Sequence, residues 1–223
     1  FYLFLYSQHG TFTAFNMEAQ GFSFANQPIK FYRNMGLVEN RLFLEPTRKS
    51  FQNALMPIFY SETWGDYWGF HVFIREKSAL GVQGFGNRDE INPYLGRVNL
   101  VSLYPTLLYL VGILTGLVNG LWLFRQRVPR WGQHIFYALL TLFLVSASIF
   151  YMYFLISYPE PPDGSTIKAT YLLHGLLILP ILGAEFLEQV RMSNKGVYAI
   201  MVALVGAVWV HNLGAIITRY WHA

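Results

Sequence analysis

Two acidic residues in an aromatic-rich stretch are the first candidates for chemistry in this sequence. Glu62 and Asp66 are four residues apart, so both side chains lie on one face if the stretch is helical. Such a pair could bind a divalent metal ion, or one carboxylate could act as a general base. The alternative is a solvated helix edge with ordinary salt bridges. His71 could join the same face or be a hydrogen-bonding surface residue.

A second group of candidates combines a cation with hydroxyl groups. Lys168 is followed by Thr170, Tyr171 and His174 at the start of a long apolar run. A cation with hydroxyls near a membrane surface suits the phosphate of a lipid. The alternative is that Lys168 is an interfacial anchor. Lys168, Tyr171 and His174 are therefore candidates for binding a lipid phosphate.

Three ionisable residues, His174, Glu185 and His211, fall within apolar runs, where charged groups are costly. Glu185 lies near one end of its run and is expected to reach water. It is also three helical turns from His174, so the two cannot form a local pair. His211 and Asn212 could line a cavity, but hydrogen bonding between helices is the favoured interpretation.

Familiar catalytic motifs do not occur in the sequence. The segment Gly81–Gly86 is rich in glycine, but no Lys-Ser/Thr pair follows, as a phosphate-binding loop requires. The sequence also contains no HExxH pair, no nucleophile elbow and no repeated histidine pattern for haem or a metal. Motifs alone therefore identify no reaction.

The composition shows what kind of molecule must position these residues. Of 223 residues, 54% are apolar, 18% aromatic and only 13% charged, and this charged share is about half that of soluble domains. A freely soluble enzyme is excluded. Cysteine is absent, which excludes disulfides, thiolate metal sites and cysteine nucleophiles. The net charge of +4 is small for a nucleic-acid-binding protein.

Four long apolar runs follow Val98, and each is long enough to cross a hydrocarbon core of about 30 Å. We predict a mainly α, polytopic integral membrane protein. Its four-helix transmembrane region is 98–223, with helices at about 100–124, 134–157, 169–187 and 197–221. Residues 1–97 are predicted to form an external or interfacial segment with short amphipathic helices.

The first 97 residues are rich in aromatic side chains, which prefer the headgroup level of a membrane. We expect an interfacial helix near Phe51–Phe73, and loops at Gly81–Asn87 and Asn92-Pro93. The chain opens with Phe1–Tyr6, without an initiator Met or a signal peptide. We expect these six residues to be the stub of an earlier span in a longer protein.

The charges of the short loops predict an orientation. The loop Arg125–Arg130 carries three arginines and no acid, and Arg191–Gly196 adds two more cations. Tyr158–Lys168 has one lysine against two acids. Because basic loops stay in the cytoplasm, residues 7–97 and the C-terminus are predicted on the external side of the inner (plasma) membrane.

Small residues recur every four positions in two of the runs. Gly112, Gly116 and Gly120 form one stripe, and Ala199, Ala203 and Ala207 form another. Such stripes let helix backbones approach closely. Oligomerisation is one interpretation, but contact between helices of the same chain is favoured.

Four stretches resemble a known family of membrane enzymes. They are RLFLEPTR at 41–48, LMPIFYSETWGDYWG at 55–69, GRVNL at 96–100 and DGSTIKATY at 163–171. They resemble bacterial polytopic proteins of the GT-C class of glycosyltransferases, family 39-like and similar to dolichyl-phosphate-mannose–protein mannosyltransferases. The resemblance spans roughly residues 41–191 and corresponds to the C-terminal portion of such proteins.

The resemblance implies an enzyme with many transmembrane helices whose donor is a sugar on a polyprenyl phosphate. In that class the catalytic acid lies on the first external loop, so the resemblance assigns that acid to no residue here. Glu62 and Asp66 remain weak candidates for a catalytic acid. Arg97 joins Lys168 as a candidate for meeting the lipid phosphate.

Three functions therefore compete at this point. The first is part of a glycosyltransferase that moves a sugar from a polyprenyl phosphate to an acceptor on the outer face. The second is a non-catalytic structural or assembly subunit of a larger membrane complex. The third, a piece of a transporter, is weaker, since only Pro105 and Pro180 hint at broken helices. The expected partners are the bilayer, a lipid-linked sugar and other membrane subunits, and the candidate cofactor is a divalent metal ion.

Overall fold

The computed structural model describes residues 7, 20–37, 40–46, 51–65, 88–125, 132–159 and 166–220. This part of the chain is mainly helical and contains no strand. Phe1–Tyr6, Asp66, His71 and the predicted loop Gly81–Asn87 lie outside the described residues.

The segment before residue 66 contains short helices. A 3-10 turn covers Phe24–Asn26, and helices α1 to α3 cover Ile29–Arg33, Arg41–Leu44 and Leu55–Trp64. Helix α3 lies within the stretch predicted to be helical from its aromatic residues. Whether this segment lies outside the membrane stays a prediction.

The long helices follow. They are α4 (Arg88–Val101), α5 (Leu103–Arg125), α6 (Gly132–Ser157), a 3-10 turn at Ala169–Leu172 with α7 (Leu173–Leu176), α8 (Ile178–Ser193) and α9 (Lys195–Tyr220). Four stretches are long and apolar enough to cross a membrane: Tyr94–Gly120, Ile135–Ser157, Ala169–Ser193 and Lys195–Gly214. The prediction of a multi-pass membrane protein with four such helices is confirmed.

The start of the first span was predicted wrongly. Helix α4 runs through Asn92-Pro93, where turn-forming residues predicted a loop. Farther along the same helix, Leu95, Val98 and Asn99 are buried, and α4 packs against α2. Tertiary packing of this face therefore outweighs the local turn signal of Asn92-Pro93.

Two prolines explain why the first and third spans are interrupted. A proline lacks the N–H that would bond the carbonyl four residues earlier. Pro105 leaves the carbonyl of Val101 without that bond, and the helix breaks at Ser102, between α4 and α5. Pro180 does the same to Leu176, and the break falls at Leu177, between α7 and α8.

The C-terminal end of α6 is capped by the segment that precedes α1. The last carbonyls of a helix have no partner within it. Here the carbonyl of Leu155 accepts from Nε2 of Gln27 at 2.7 Å, and that of Ile156 accepts from Nδ2 of Asn26 at 3.0 Å. The carbonyl of Ser157 accepts from the backbone N–H of Gln20 at 3.0 Å. These bonds hold the short-helix segment on the bundle.

One apolar core joins the short helices to the spans. Phe31 and Ile58 from the segment are fully buried against Leu155 of α6 and Ile167. Because the core includes residues from both sides of Val98, the short helices and the spans stabilise each other.

The glycine stripe of α5 packs within the chain, as favoured from sequence. A Cβ atom on Gly112 would lie 2.6 Å from the backbone carbonyl of Leu182 in α8, and one on Gly116 would meet the hydroxyl of Thr141 in α6. The α5 backbone approaches both neighbouring helices this closely only because these positions are glycine.

Helix α9 differs from the other spans. Only 6% of its span is buried, against 28–33% in the others. Ala199, Ala203 and Ala207 are exposed, and a Cβ on Gly206 would meet nothing within 4 Å among the described residues. Among the described residues, therefore, no helix covers the alanine stripe of α9, and its packing within the chain stays a prediction.

Candidate functional site

Helix α3 carries the candidate Glu62 and is fixed to the first span by its own aromatic side chains. The hydroxyl of Tyr60 donates to the carbonyl of Asn99 at 2.7 Å. The indole Nε1 of Trp64 donates to Oγ1 of Thr106 at 3.1 Å, and its ring stacks on Tyr109 with 6.1 Å between centroids. These contacts set where α3 presents Glu62.

Asn99 is the centre of this attachment. Its side chain is fully buried, and its Nδ2 donates to the carbonyl of Leu42 and to Oγ of Ser61, both at 2.9 Å. Three elements, α2, α3 and α4, therefore meet at one amide. Burial raises the pKa of the neighbouring Tyr60 to about 12, although the hydroxyl of Thr106 acts in the opposite direction.

Tyr151 of α6 connects the acidic and basic candidates. Its hydroxyl donates to the carbonyl of Lys168 at 3.1 Å. The ring of Phe59, on α3, lies 5.7 Å from the Tyr151 ring. We call Glu62, Tyr151, Lys168 and Tyr171 the Tyr151 junction. Glu62 and Lys168 are both half-buried there.

The Lys168 ammonium group faces an aromatic ring. Its Nζ lies 6.0 Å from the centroid of the Tyr171 ring, at the limit of a cation–π contact. Tyr171 is exposed and meets Phe154 edge-to-face at 5.6 Å. Lys168 therefore has an exposed aromatic neighbour.

His174 lies on the same side of α6 but farther from the junction. It is exposed, and its ring meets Phe143 edge-to-face at 5.8 Å. Phe143 and Phe154 are about three helical turns apart, so they share one face of α6. His174 packs on Phe143, farther from the C-terminal end of α6, and Tyr171 packs on Phe154, nearer to that end.

Arg97 is not brought into the junction. Its side chain is exposed on α4, a helix that packs against α2, α3 and α9. Asp66, the other acidic candidate, lies outside the described residues. The candidate site in the described structure therefore consists of Glu62, Lys168 and Tyr171, with Tyr151 added.

Asn212 and the backbone carbonyl of His211, in the fourth span, hydrogen-bond to the first span. His211 Nδ1 lies 2.9 Å from Oδ1 of Asn212, and Asn212 Nδ2 donates to Oγ of Ser102 at 2.9 Å. The hydroxyl of Tyr94 donates to the carbonyl of His211 at 3.1 Å. Hydrogen bonding between helices, the interpretation favoured from sequence, is confirmed. Glu185 in α8 accepts from Gln189 at 3.3 Å.

Two central residues were not found by sequence reasoning. Tyr151 lies in a run of aromatic residues, and nothing in that run marks one tyrosine above its neighbours. Asn99 carries a usable signal, because an amide at the start of an apolar run requires a partner. That signal predicts a hydrogen bond but not which elements it joins.

No cluster of three or more His, Asp or Glu side chains able to share a metal ion occurs among the described residues. Since Asp66 and His71 lie outside that part, the divalent ion stays a prediction. No protein-family model, curated protein or solved structure matches this chain. Its function must therefore be argued from the Tyr151 junction.

Proposed function

We propose that this chain is part of a membrane glycosyltransferase that moves a sugar from a polyprenyl phosphate to an acceptor on the outer face of the membrane. One observation carries the proposal. Tyr151 packs on Phe59 of α3, the helix that bears the carboxylate Glu62, and donates to the backbone carbonyl of Lys168, beside the apolar spans. A donor with a charged phosphate and an apolar tail requires a site where charged side chains lie next to an apolar surface.

The proposed chemistry gives each residue one task. An acceptor oxygen attacks the anomeric carbon, and the bond from that carbon to the phosphate oxygen breaks. Glu62 takes the proton from the acceptor as a general base. Lys168 stabilises the negative charge of the departing polyprenyl phosphate, and Tyr171 offers a hydroxyl to the same phosphate. The hydroxyl of Tyr151 donates to the backbone carbonyl of Lys168 and so positions Lys168.

The test measures release of polyprenyl phosphate by the full chain in proteoliposomes. The donors are polyprenyl-phosphate glucose, galactose and mannose, and a cell-envelope extract supplies the acceptor. Glu62→Gln should lower kcat by about 10²–10⁴-fold, the usual effect of losing a general base. Lys168→Met should lower kcat/KM, and Lys168→Arg should restore part of it because the charge returns.

Glu188→Gln is the matched control. Glu188 is ion-paired with Arg191 near the other end of the third span, outside the proposed machinery, and its loss should leave the rate unchanged. If Glu62→Gln keeps the wild-type rate with every active donor, Glu62 is not the general base. If the wild-type chain and its natural complex release no polyprenyl phosphate from any donor, the proposed function is wrong.

A structural or assembly subunit is the second candidate, and helix α9 favours it. Its exposed alanine stripe and Gly206 form a face on which another helix backbone could approach closely. This alternative expects stable copurification with other membrane chains that is lost on Ala203→Leu. It also expects no effect of Glu62→Gln on any sugar transfer.

A further inference from the structure

An apolar groove runs along the side of the bundle. It encloses about 600 Å³ between α6 and the helices of the third span, and Phe59 of α3, which packs on Tyr151, also lines it. Val145, Ile149 and Met152 line it from α6, and Leu176 and Leu179 line it from α7 and α8. Val145 and Ile149 are exposed, so the groove is open at the bundle surface.

Water is a poor occupant of this groove. A bound water needs two to four polar partners. Ser148 and Tyr153 supply the only hydroxyls among the described lining residues, and that of Ser148 already donates to the carbonyl of Leu144 at 2.8 Å. An apolar molecule is therefore the expected occupant.

The position of the groove identifies the apolar molecule. Its α6 and α8 residues lie within the second and third candidate spans. Phe150 on α6, Leu177 at the break between α7 and α8, and Ile181 on α8 are exposed beside it, so the groove is continuous with the apolar surface that contacts the bilayer. Hydrocarbon chains are the solvent at that surface.

We propose that the groove binds one acyl chain of an ordinary bilayer phospholipid. This inference goes beyond the proposed function and does not rest on it. None of the described lining residues carries a charge, so the groove selects a chain and not a headgroup. At its far end Phe22 stacks on Tyr153 with 5.4 Å between centroids. The bound chain thus contacts the short-helix segment as well as the spans.

The first experiment maps where an acyl chain lies. The full chain is reconstituted in phosphatidylcholine vesicles doped with a phosphatidylcholine that carries a diazirine in mid-chain, then irradiated and analysed by peptide mass spectrometry. Adducts should concentrate on Val145, Ile149 and Met152. Phe150, which is 73% exposed on the same helix but outside the groove, is the internal comparison.

The second experiment fills the groove. Ile149→Trp should lower the groove adducts by about tenfold, which corresponds to about 1.4 kcal/mol, because the larger side chain occupies the space in which the acyl chain lies. Phe150→Trp, a change of similar size on the bilayer side, should leave them unchanged.

Three results would overturn the inference. Adducts spread evenly over Phe150 and the groove would mean that the groove binds no chain. Loss of groove adducts on adding a slight excess of polyprenyl phosphate would assign the site to the donor lipid. Groove adducts that appear only after residues 1–19 are removed would mean that this part of the chain fills it.

Discussion

At the scale of single residues, buried amides attach the short helices to the spans, as disulfides attach segments in many small exported domains. The chain has no cysteine, yet α2 and α3 are attached to the first span. Asn99 donates to Leu42 and Ser61, and Gln27 donates to Leu155. Each bond satisfies a group that would be costly to bury alone. The short helices therefore keep their position through polar contacts with backbone groups.

Tyr60 gives this attachment a measurable pH dependence. Burial raises its pKa to about 12, above the ordinary value of about 10. The folded state therefore keeps the proton that the unfolded chain loses. The resulting stabilisation is present in full below about pH 10 and is lost as the pH rises to about 12. The free energy of unfolding of the wild type should fall more steeply over this range than that of Tyr60→Phe.

An independent measurement is the ultraviolet absorbance of tyrosinate. The difference between the titrations of wild type and Tyr60→Phe should show one group that ionises near pH 12. A difference step centred near the ordinary value instead would contradict the burial of Tyr60 against Asn99.

Sequence reasoning at this scale finds residue types but not their neighbours. Glu62 and Lys168 could be selected as an acid and a cation near apolar runs. Their connection could not, because it depends on Tyr151, one of several tyrosines in the second run. Arg97 illustrates the converse. It shares the charge of Lys168 but lies on an exposed face of another helix.

At the scale of elements, two glycines in the same kind of sequence context have opposite surroundings. A Cβ on Gly112 would lie 2.6 Å from the Leu182 carbonyl, whereas one on Gly206 would meet nothing within 4 Å among the described residues. Gly112→Ala should destabilise the fold by about 1–3 kcal/mol, because the α5 and α8 backbones must separate. Thermal unfolding in detergent measures this change.

Gly206→Ala is the matched control for that prediction. Alanine is favoured over glycine inside a helix by up to about 1 kcal/mol, and here it has open space. The variant should unfold at the same temperature or slightly higher. Equal destabilisation by both variants would show that α5 and α8 do not pack as closely as described.

The long helices could be predicted because an uncharged run of this length has few structural alternatives to a membrane-spanning helix. Their interruptions could be predicted in part, since Pro105 and Pro180 are visible in the sequence. The early start of the first span could not. Helix α4 contains Asn92-Pro93, and its helical form depends on Leu95 and Val98 being buried by other elements.

At the scale of the whole molecule, the sequence predicts which side of the membrane each end of a span faces. Consecutive spans that cross a membrane alternate in direction, so we expect the ends at Arg125 and Ser193 of the four candidate spans to share one side. Arg191 is ion-paired with Glu188, but acidic residues weaken the positive-inside signal little. These ends should therefore face the cytoplasm, and the Tyr151 junction should face outward, as the proposed function requires.

The absence of cysteine allows a direct test of this orientation. Thr170 and Ser193 are exposed near opposite ends of the third span, Ala169–Ser193. In intact cells a membrane-impermeant maleimide should label Thr170→Cys and should reach Ser193→Cys only after permeabilisation, while the cysteine-free parent gives the blank. The reverse pattern would place the Tyr151 junction in the cytoplasm and remove it from any outer-face acceptor. Labelling of both positions in intact cells would mean that the third span does not cross the membrane.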